Sequence, residues 1–185
     1  NEEKNIIDLC SRIIKVAKKI NVSYEIILVD NGSTDNSRNI IRNLNKKDKN
    51  IRSLILSRNF GYQNAIFSGL KFSKGDYICV LDGDLQDPPE IIEKMYIKIR
   101  KGFDVVYGIH SKREGAGLKN IFYRLFYILY SKLSEMSIPK DSGEFAIFNK
   151  KVLKEILQFN ENLLFIRGIR SWVGFKQTGY NYVRS

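Results

Sequence analysis

The sequence predicts an α/β protein whose mostly parallel, Rossmann-like sheet is flanked by helices. Three observations carry this expectation. Short apolar runs alternate with segments of helical periodicity along most of the 185 residues. Two of those runs end in an aspartate followed by turn chemistry, at Asp30-Asn31-Gly32 and at Asp82-Gly83-Asp84. With 43% hydrophobic and 28% charged residues, the chain has the balance of one globular domain over residues 1–185 with a real core.

The elements follow in order. Ile6, Cys10, Ile13, Ala17 and Ile20 repeat at helical spacing, with Lys15, Lys18 and Lys19 off that stripe. Residues 24–29 form an apolar run that reads as a buried strand, and residues 30–35 are turn formers. Asp35 is placed to cap a helix running to about Leu44. A second strand covers 52–57, a helix covers 61–72, and Lys74-Gly75 ends it. The strand over 76–82 runs into Leu81-Asp82-Gly83-Asp84-Leu85-Gln86-Asp87-Pro88-Pro89-Glu90. Pro88-Pro89 starts the next helix, with Ile92, Met95, Tyr96 and Ile99 as its buried face and Gly102 as its stop. Strands are expected at 104–107 and 144–148. Helices are expected at 118–134, 151–159 and 163–175, with a flexible loop at Gly115 and Gly117.

Charge narrows the partners. The formal net charge of +11 favours an anionic one: nucleic acid, anionic lipid or a phosphorylated substrate. Lys and Arg are spread over many helices and no nucleic-acid motif occurs, so a basic nucleic-acid-binding or other anion-binding module stands as the rival reading only. Cys10 and Cys79 lack metal-ligand spacing and read as small buried hydrophobes, which fits a reducing compartment. No apolar run approaches 18 residues, so no spanning helix is expected.

Side chains alternate across a strand, so Asp82 and Asp84 should share a face, and Gln86 should join them if the extended geometry persists. Two carboxylates and an amide oxygen make a hard, oxygen-only site suited to Mg²⁺ or Mn²⁺ carrying a substrate diphosphate. The bland alternative is a solvated acidic loop before a helix N-terminus. Asp30 ends another strand, where open α/β sheets bind ligands; its bland alternative is an Asx-turn. Between them lies Ser57-Arg58-Asn59-Phe60-Gly61, where Arg58 could reach a phosphate and the helix start at Gly61 could cradle one.

These three stretches, 29–35, 57–61 and 81–89, together resemble the inverting nucleotide-sugar glycosyltransferases of family 2. Within that family the chain is most similar to the polyprenyl-phosphate hexose transferases, the dolichyl-phosphate mannose synthases and bactoprenol glucosyltransferases. The Asp-Leu-Gln-Asp-Pro-Pro run at 84–89 is fairly specific to that branch. Val106-Tyr107-Gly108, Arg113-Glu114-Gly115, Phe165-Ile166-Arg167-Gly168 and Trp172-Val173-Gly174-Phe175 extend the likeness over nearly the whole chain.

The resemblance implies a type A glycosyltransferase fold and transfer of a hexose from a nucleoside-diphosphate sugar to a polyprenyl phosphate with inversion. It implies that Asp30 holds the nucleotide base, Asp82 the ribose or metal, and Asp84 and Gln86 the cation. Glu2, Asn31, Arg58, Asn59 and Gly61 would line the nucleotide-sugar pocket. Arg113 would meet acceptor or donor phosphate, with Arg167 as a second candidate. It also implies work at the cytoplasmic face of a membrane, against the membrane surface. A related reading within the family is a sugar hydroxyl as acceptor in cell-surface polysaccharide synthesis, which needs a base such as Asp82 or Glu144.

The chain departs from the family pattern in several places. The first strand, ending in Pro-x-Tyr-Asn-Glu, is represented only by Asn1-Glu2, and the C-terminal membrane helices are missing, which reads as truncation at both ends or as a non-catalytic fragment. Asp30-Asn31 replaces the usual Asp-Asp, and Gly143-Glu144-Phe145-Ala146 replaces Gly-Asp-Phe-Arg. Residues 118–134 form an aromatic, Lys- and Arg-bearing stretch that reads either as a core helix or as one lying at a lipid interface. His110 reads as an exposed loop residue.

Overall fold

The computed structural model describes residues 1–110, 142–159 and 165–184. Arg113, the loop at Gly115 and Gly117, and the aromatic stretch 118–134 lie outside the described residues.

The chain opens on α1 (Ile6–Lys19), whose buried side is Ile6, Leu9, Cys10, Val16 and Ala17. Asn21, at φ 53°, ends it in the left-handed region that Asn tolerates, with Lys18 and Lys19 in the last turn against the helix dipole. Then come β1 (Ile26–Asp30), α2 (Ser37–Lys47), β2 (Ile51–Ile55) and α3 (Tyr62–Phe72). β1 and β2 pair in parallel, Ile26 opposite Ile51 and Asp30 opposite Ile55. Helices α1 and α2 cover this pair through a core of Ile6, Cys10, Ile26, Ile41 and Ile51. The N-cap of α2 is Asn36, which makes no side-chain cap bond, rather than the expected Asp35; Asp35, one residue earlier, accepts the N–H of the first helical residue, Ser37, at 3.0 Å.

The second sheet is larger. It contains β3 (Tyr77–Val80), β4 (Val105–His110), β5 (Ser142–Asn149) and β6 (Gln177–Tyr182), in the order β3-β5-β4-β6. β5 runs antiparallel to both neighbours, whereas β4 and β6 are parallel, so the α/β sheet is mixed at its centre. Alternation along the strands gives the sheet two buried faces. Phe145, Ile147 and Val106 face α4 (Ile91–Ile99), meeting Met95, Ile99 and Tyr182. Ala146, Phe148 and Val105 face the other way, against α3, α5 (Lys150–Ile156) and α6 (Ile166–Trp172) through Phe67, Leu70, Val152, Ile156 and Ile166. Burying a side chain such as Phe148 stabilises by roughly 1.5–3 kcal/mol.

β6 lies beyond the last element read from sequence, and α6 is shorter than the helix expected over 163–175. The period-2 pattern of Thr178, Tyr180 and Tyr182 was its sequence signal. Cys10 and Cys79 are both free; burial pushes their thiols up to about 11 and about 12, so they stay protonated at neutral pH.

Helix α3 joins the two sheets. Phe67 and Leu70 enter the core of the large sheet, while Gly69 lies against Val29 of β1, where an added Cβ would sit 3.1 Å from a Val29 methyl. The first turn of α3 is thereby held over the carboxyl ends of β1 and β3.

Candidate active site

Four segments meet at this rim: the N-terminal residues, the loop after β1, the loop after β2 and the acidic turn after β3. Asn1, Glu2 and Glu3 are stitched to the loop after β1. The Thr34 N–H donates to Asn1 Oδ1 at 2.8 Å, the Glu2 N–H to Ser37 Oγ at 2.9 Å, and the Asn36 N–H to Glu3 Oε2 at 2.9 Å. The Glu2 side chain passes beside Gly83 of the acidic turn, its Cγ only 3.5 Å from where a Cβ on Gly83 would be. Glu2 therefore spans the two strand ends.

The loops after β1 and β2 touch backbone to backbone. Gly32 has φ 81°, and a Cβ there would fall 2.6 Å from the Asn59 nitrogen. Asn31 Oδ1 accepts the Phe60 N–H at 2.9 Å, and Asn31 Nδ2 donates to Asn59 Oδ1 at 3.1 Å. Asn59 Oδ1 also accepts the Gly61 N–H at 2.8 Å, so that amide serves the loop and is not open to a phosphate as the sequence suggested. Gly32→Ala should cost about 2 kcal/mol through strain and collision. Urea unfolding checks it, and an unchanged midpoint would contradict the backbone contact.

Asp30 is turned inward. Its side chain is fully buried, Oδ1 accepting the Ser33 N–H and Oδ2 accepting Arg38 Nε, each at 3.1 Å. Burial would raise its pKa, but these bonds and the Arg38 charge outweigh that and hold it below the usual range. Its visible task is ordering the loop that presents Asn31. Arg58 is exposed, its guanidinium 4.4 Å from the centre of the Phe60 ring.

The acidic turn differs from its sequence reading. β3 ends at Val80, so strand alternation reaches none of Asp82, Asp84 and Gln86, and Leu85 takes φ 60° within the turn. Gln86 is exposed, and its N–H bonds back to Asp84 Oδ1 at 3.0 Å. Asp82 Oδ1 accepts the Tyr62 hydroxyl at 2.6 Å. Burial raises the Asp82 carboxyl, the charges of Asp84 and Asp87 raise it further, and Tyr62 and Arg184 oppose them. Burial and the Asp82 carboxylate push the Tyr62 hydroxyl far above its ordinary range.

Asp87 anchors the turn from below and is 3% exposed. It accepts Tyr182 Oη at 2.5 Å, Arg184 Nε at 2.8 Å and Arg184 Nη2 at 3.0 Å. His110 is the last residue of β4, not a loop residue. Its Nδ1 lies 4.0 Å from Asp87 Oδ1 and its ring meets Tyr182 edge-on. Sequence reading missed Tyr62, Tyr182 and Arg184. Nothing local marked them, because their partners lie 20 to 97 residues away.

On the other side of α3, Gln63 Nε2 donates to Glu144 Oε1 at 3.0 Å and Gln63 Oε1 accepts the Ile166 N–H at 2.9 Å. Glu144 Oε2 is buried without a hydrogen-bond partner. Arg167 follows on α6, its guanidinium 5.2 Å from the Phe165 ring centre. Arg170 on the same helix is 1% exposed; burial lowers it to about 10, against the opposing charge of Glu144, so it remains a cation.

Among the described residues, no cluster of three or more His, Cys, Asp or Glu is arranged to hold a metal ion. The donor set instead fits a cation arriving with its ligand. Mg²⁺-type sites commonly use one or two carboxylates, with substrate phosphates and water completing the shell. Asp82 and Asp84, one oxygen of each engaged within the protein, suit that arrangement.

An α/β sheet with an acidic turn, a loop-bound aspartate and a basic loop at one rim has the type A fold of nucleotide-sugar glycosyltransferases. The mannosyltransferase PcManGT from Pyrobaculum calidifontis, solved with GDP-Man and Mn²⁺, superposes with TM-score 0.66 at 17% identity, covering 99% of this chain and 52% of that one. Residues 1–157 match Glycosyl transferase family 2, and the chain belongs to that family. It is 40% identical to the uncharacterized glycosyltransferase YkcC of Bacillus subtilis (strain 168), covering 100% of this chain and 57% of that protein. It is 35% identical to the prophage bactoprenol glucosyl transferase homolog of Escherichia coli (strain K12), covering 100% of this chain and 61% of that protein. The chain thus spans little more than half the length of these relatives. Among the described residues, no helix is long and apolar enough to cross a membrane.

Proposed function

We propose that this chain is the catalytic domain of a cation-dependent enzyme that transfers a hexose from a nucleoside-diphosphate sugar to a polyprenyl phosphate, with inversion. The observation that carries the proposal is the acidic turn of Asp82 and Asp84, pinned beside Glu2 and the loops after β1 and β2. The bactoprenol name of the Escherichia coli relative supports the lipid acceptor.

In this reading the loop at Asp30 and Asn31 meets the nucleotide base, and Arg58 faces its phosphates. Asp82 and Asp84, with Gln86 at the edge of the turn, hold Mg²⁺ or Mn²⁺. That ion, when bound, supplies charge neutralisation for the departing nucleoside diphosphate. A lipid phosphate is already an anion at neutral pH, so its oxygen attacks the anomeric carbon without a strong base. The protein's work is then to hold the two substrates in line. Arg113, with Arg167 as an alternative, grips the acceptor phosphate.

A second reading, a sugar hydroxyl acceptor, is favoured by one observation. Glu144 keeps Oε2 free of protein hydrogen bonds while Gln63 steadies Oε1, an arrangement that suits a general base.

The test is a transfer assay with several labelled nucleotide sugars, offering undecaprenyl phosphate or soluble oligosaccharides. Product on the lipid alone supports the first reading, and product on the oligosaccharide alone overturns it. In the same assay Arg113→Ala should weaken lipid use by at least about tenfold while nucleotide binding is nearly unchanged. Equal loss of both removes the assigned role.

A further inference from the structure

We infer that Tyr62 is a positioning residue, holding Asp82 in the orientation that receives the cation and diphosphate. This rests on the cation reading of the acidic turn.

Asp82 lies two residues past the end of β3, so no ladder hydrogen bond orients it. A carboxylate on a turn samples several rotamers unless something selects one. Here the selection comes from another element. Tyr62 is the first residue of α3, reached through Gly61 at φ 89°, and its hydroxyl donates to Asp82 Oδ1 at 2.6 Å across 20 residues of sequence. The helix behind it is firm, with Phe67 and Leu70 in the core and Gly69 against β1. One Asp82 oxygen is thus engaged on the helix side, and the other carries the ligand-facing role.

Tyr62 is 47% exposed, an unusual position for a ring whose only purpose is packing. What it offers is the donor at its tip. Gln63, the next residue, does the same for Glu144 at 3.0 Å, so the first turn of α3 steadies two carboxylates, one on each side of the helix. Such outer-layer hydrogen bonds fix how a ligating carboxylate is presented.

The experiment is Mn²⁺ titration of the full chain, followed by electron paramagnetic resonance of the free ion, with UDP and separately with GDP. Variants are Tyr62→Phe, Asp84→Ala, Asp82→Asn and the Tyr62→Phe/Asp82→Asn double variant. Phenylalanine keeps the half-exposed ring, so the fold should persist, as circular dichroism will register. Tyr62→Phe should weaken Mn²⁺ binding about tenfold, the scale of one hydrogen bond to a charged group. In the Asp82→Asn background the same change should have no further effect, since Tyr62 acts through Asp82. Wild-type affinity in Tyr62→Phe, or an equal loss in both backgrounds, overturns the role of Tyr62 while dependence on Asp84 keeps the cation reading intact. Mn²⁺ binding indifferent to Asp84→Ala overturns the cation reading and this inference with it.

Discussion

Asp84→Ala should abolish cation-dependent sugar transfer, lowering turnover on the order of a thousandfold, while leaving the fold in place. The scale is that of removing one preorganised electrostatic stabiliser from a site where charge develops. The fold should tolerate the change because Asp84 is only partly buried and its one side-chain hydrogen bond among the described residues, from the Gln86 N–H at 3.0 Å, is local to the turn. The measurement is transfer of labelled sugar with and without EDTA, beside a thermal melt. EDTA-sensitive turnover at the wild-type rate in Asp84→Ala would remove the acidic turn from the mechanism. A large fall in melting temperature would make the residue structural instead.

The second large effect concerns Arg184. Arg184→Gln removes a bidentate partner from a carboxylate that is 3% exposed and leaves Asp87 with Tyr182 as its remaining short contact. Breaking such a pair costs about 3 kcal/mol, toward the low end for buried pairs because Arg184 itself is partly exposed. For a chain of this size that is roughly 6–12 °C in melting temperature.

The pH dependence follows from the sign of the shift. Burial alone would raise Asp87, but Arg184 and Tyr182 more than reverse it, so its folded pKa lies below the unfolded value of about 3.9. A depressed carboxylate contributes stability that is fully present above the unfolded pKa and is lost as pH falls through the folded one. The deficit of Arg184→Gln should therefore be full at pH 7 and shrink below about pH 4. Urea unfolding at both ends of that range measures it. A deficit of the same size at pH 7 and at pH 2.5 would mean that packing by the arginine stem, rather than the ion pair, is what the variant loses.

This pair also explains how the turn keeps its shape without the strand beneath it. Val80 ends β3, and the next six residues have no sheet partner. Asp87, fixed to Tyr182 at the end of β6 and to Arg184 two residues beyond it, closes the turn from one side. Tyr62, fixed to α3, holds it from the other. Loosening either side should reach Asp84 through the backbone.

Much of this was legible beforehand. The apolar runs read at 24–29 and 76–82 and the helical stripe of residues 6–20 are local patterns, and they formed as β1 at 26–30, β3 at 77–80 and α1, with ends shifted by one or two residues. The acidic turn was found because an aspartate pair after an apolar strand is visible in ten residues. The shared face expected for Asp82, Asp84 and Gln86 rested on strand alternation, which ends at Val80, and Leu85 takes a left-handed backbone before Gln86. The Gly61 amide was misjudged because its acceptor, Asn59, is a side chain, and side-chain choices within a loop leave no periodic trace.

Composition, period and turn chemistry act over a few residues, so the linear chain alone determined the α/β class, the strand ends at Asp30 and near Asp82, and the oxygen-rich chemistry of that rim. The antiparallel course of β5, the existence of β6 beside β4, the inward turn of Asp30 and the grip of Tyr62 and Arg184 on the acidic turn were decided only in three dimensions. Each of these depends on which distant segment comes to lie alongside. That choice is made by burying two faces of one sheet at once, an energy that no short window of sequence contains.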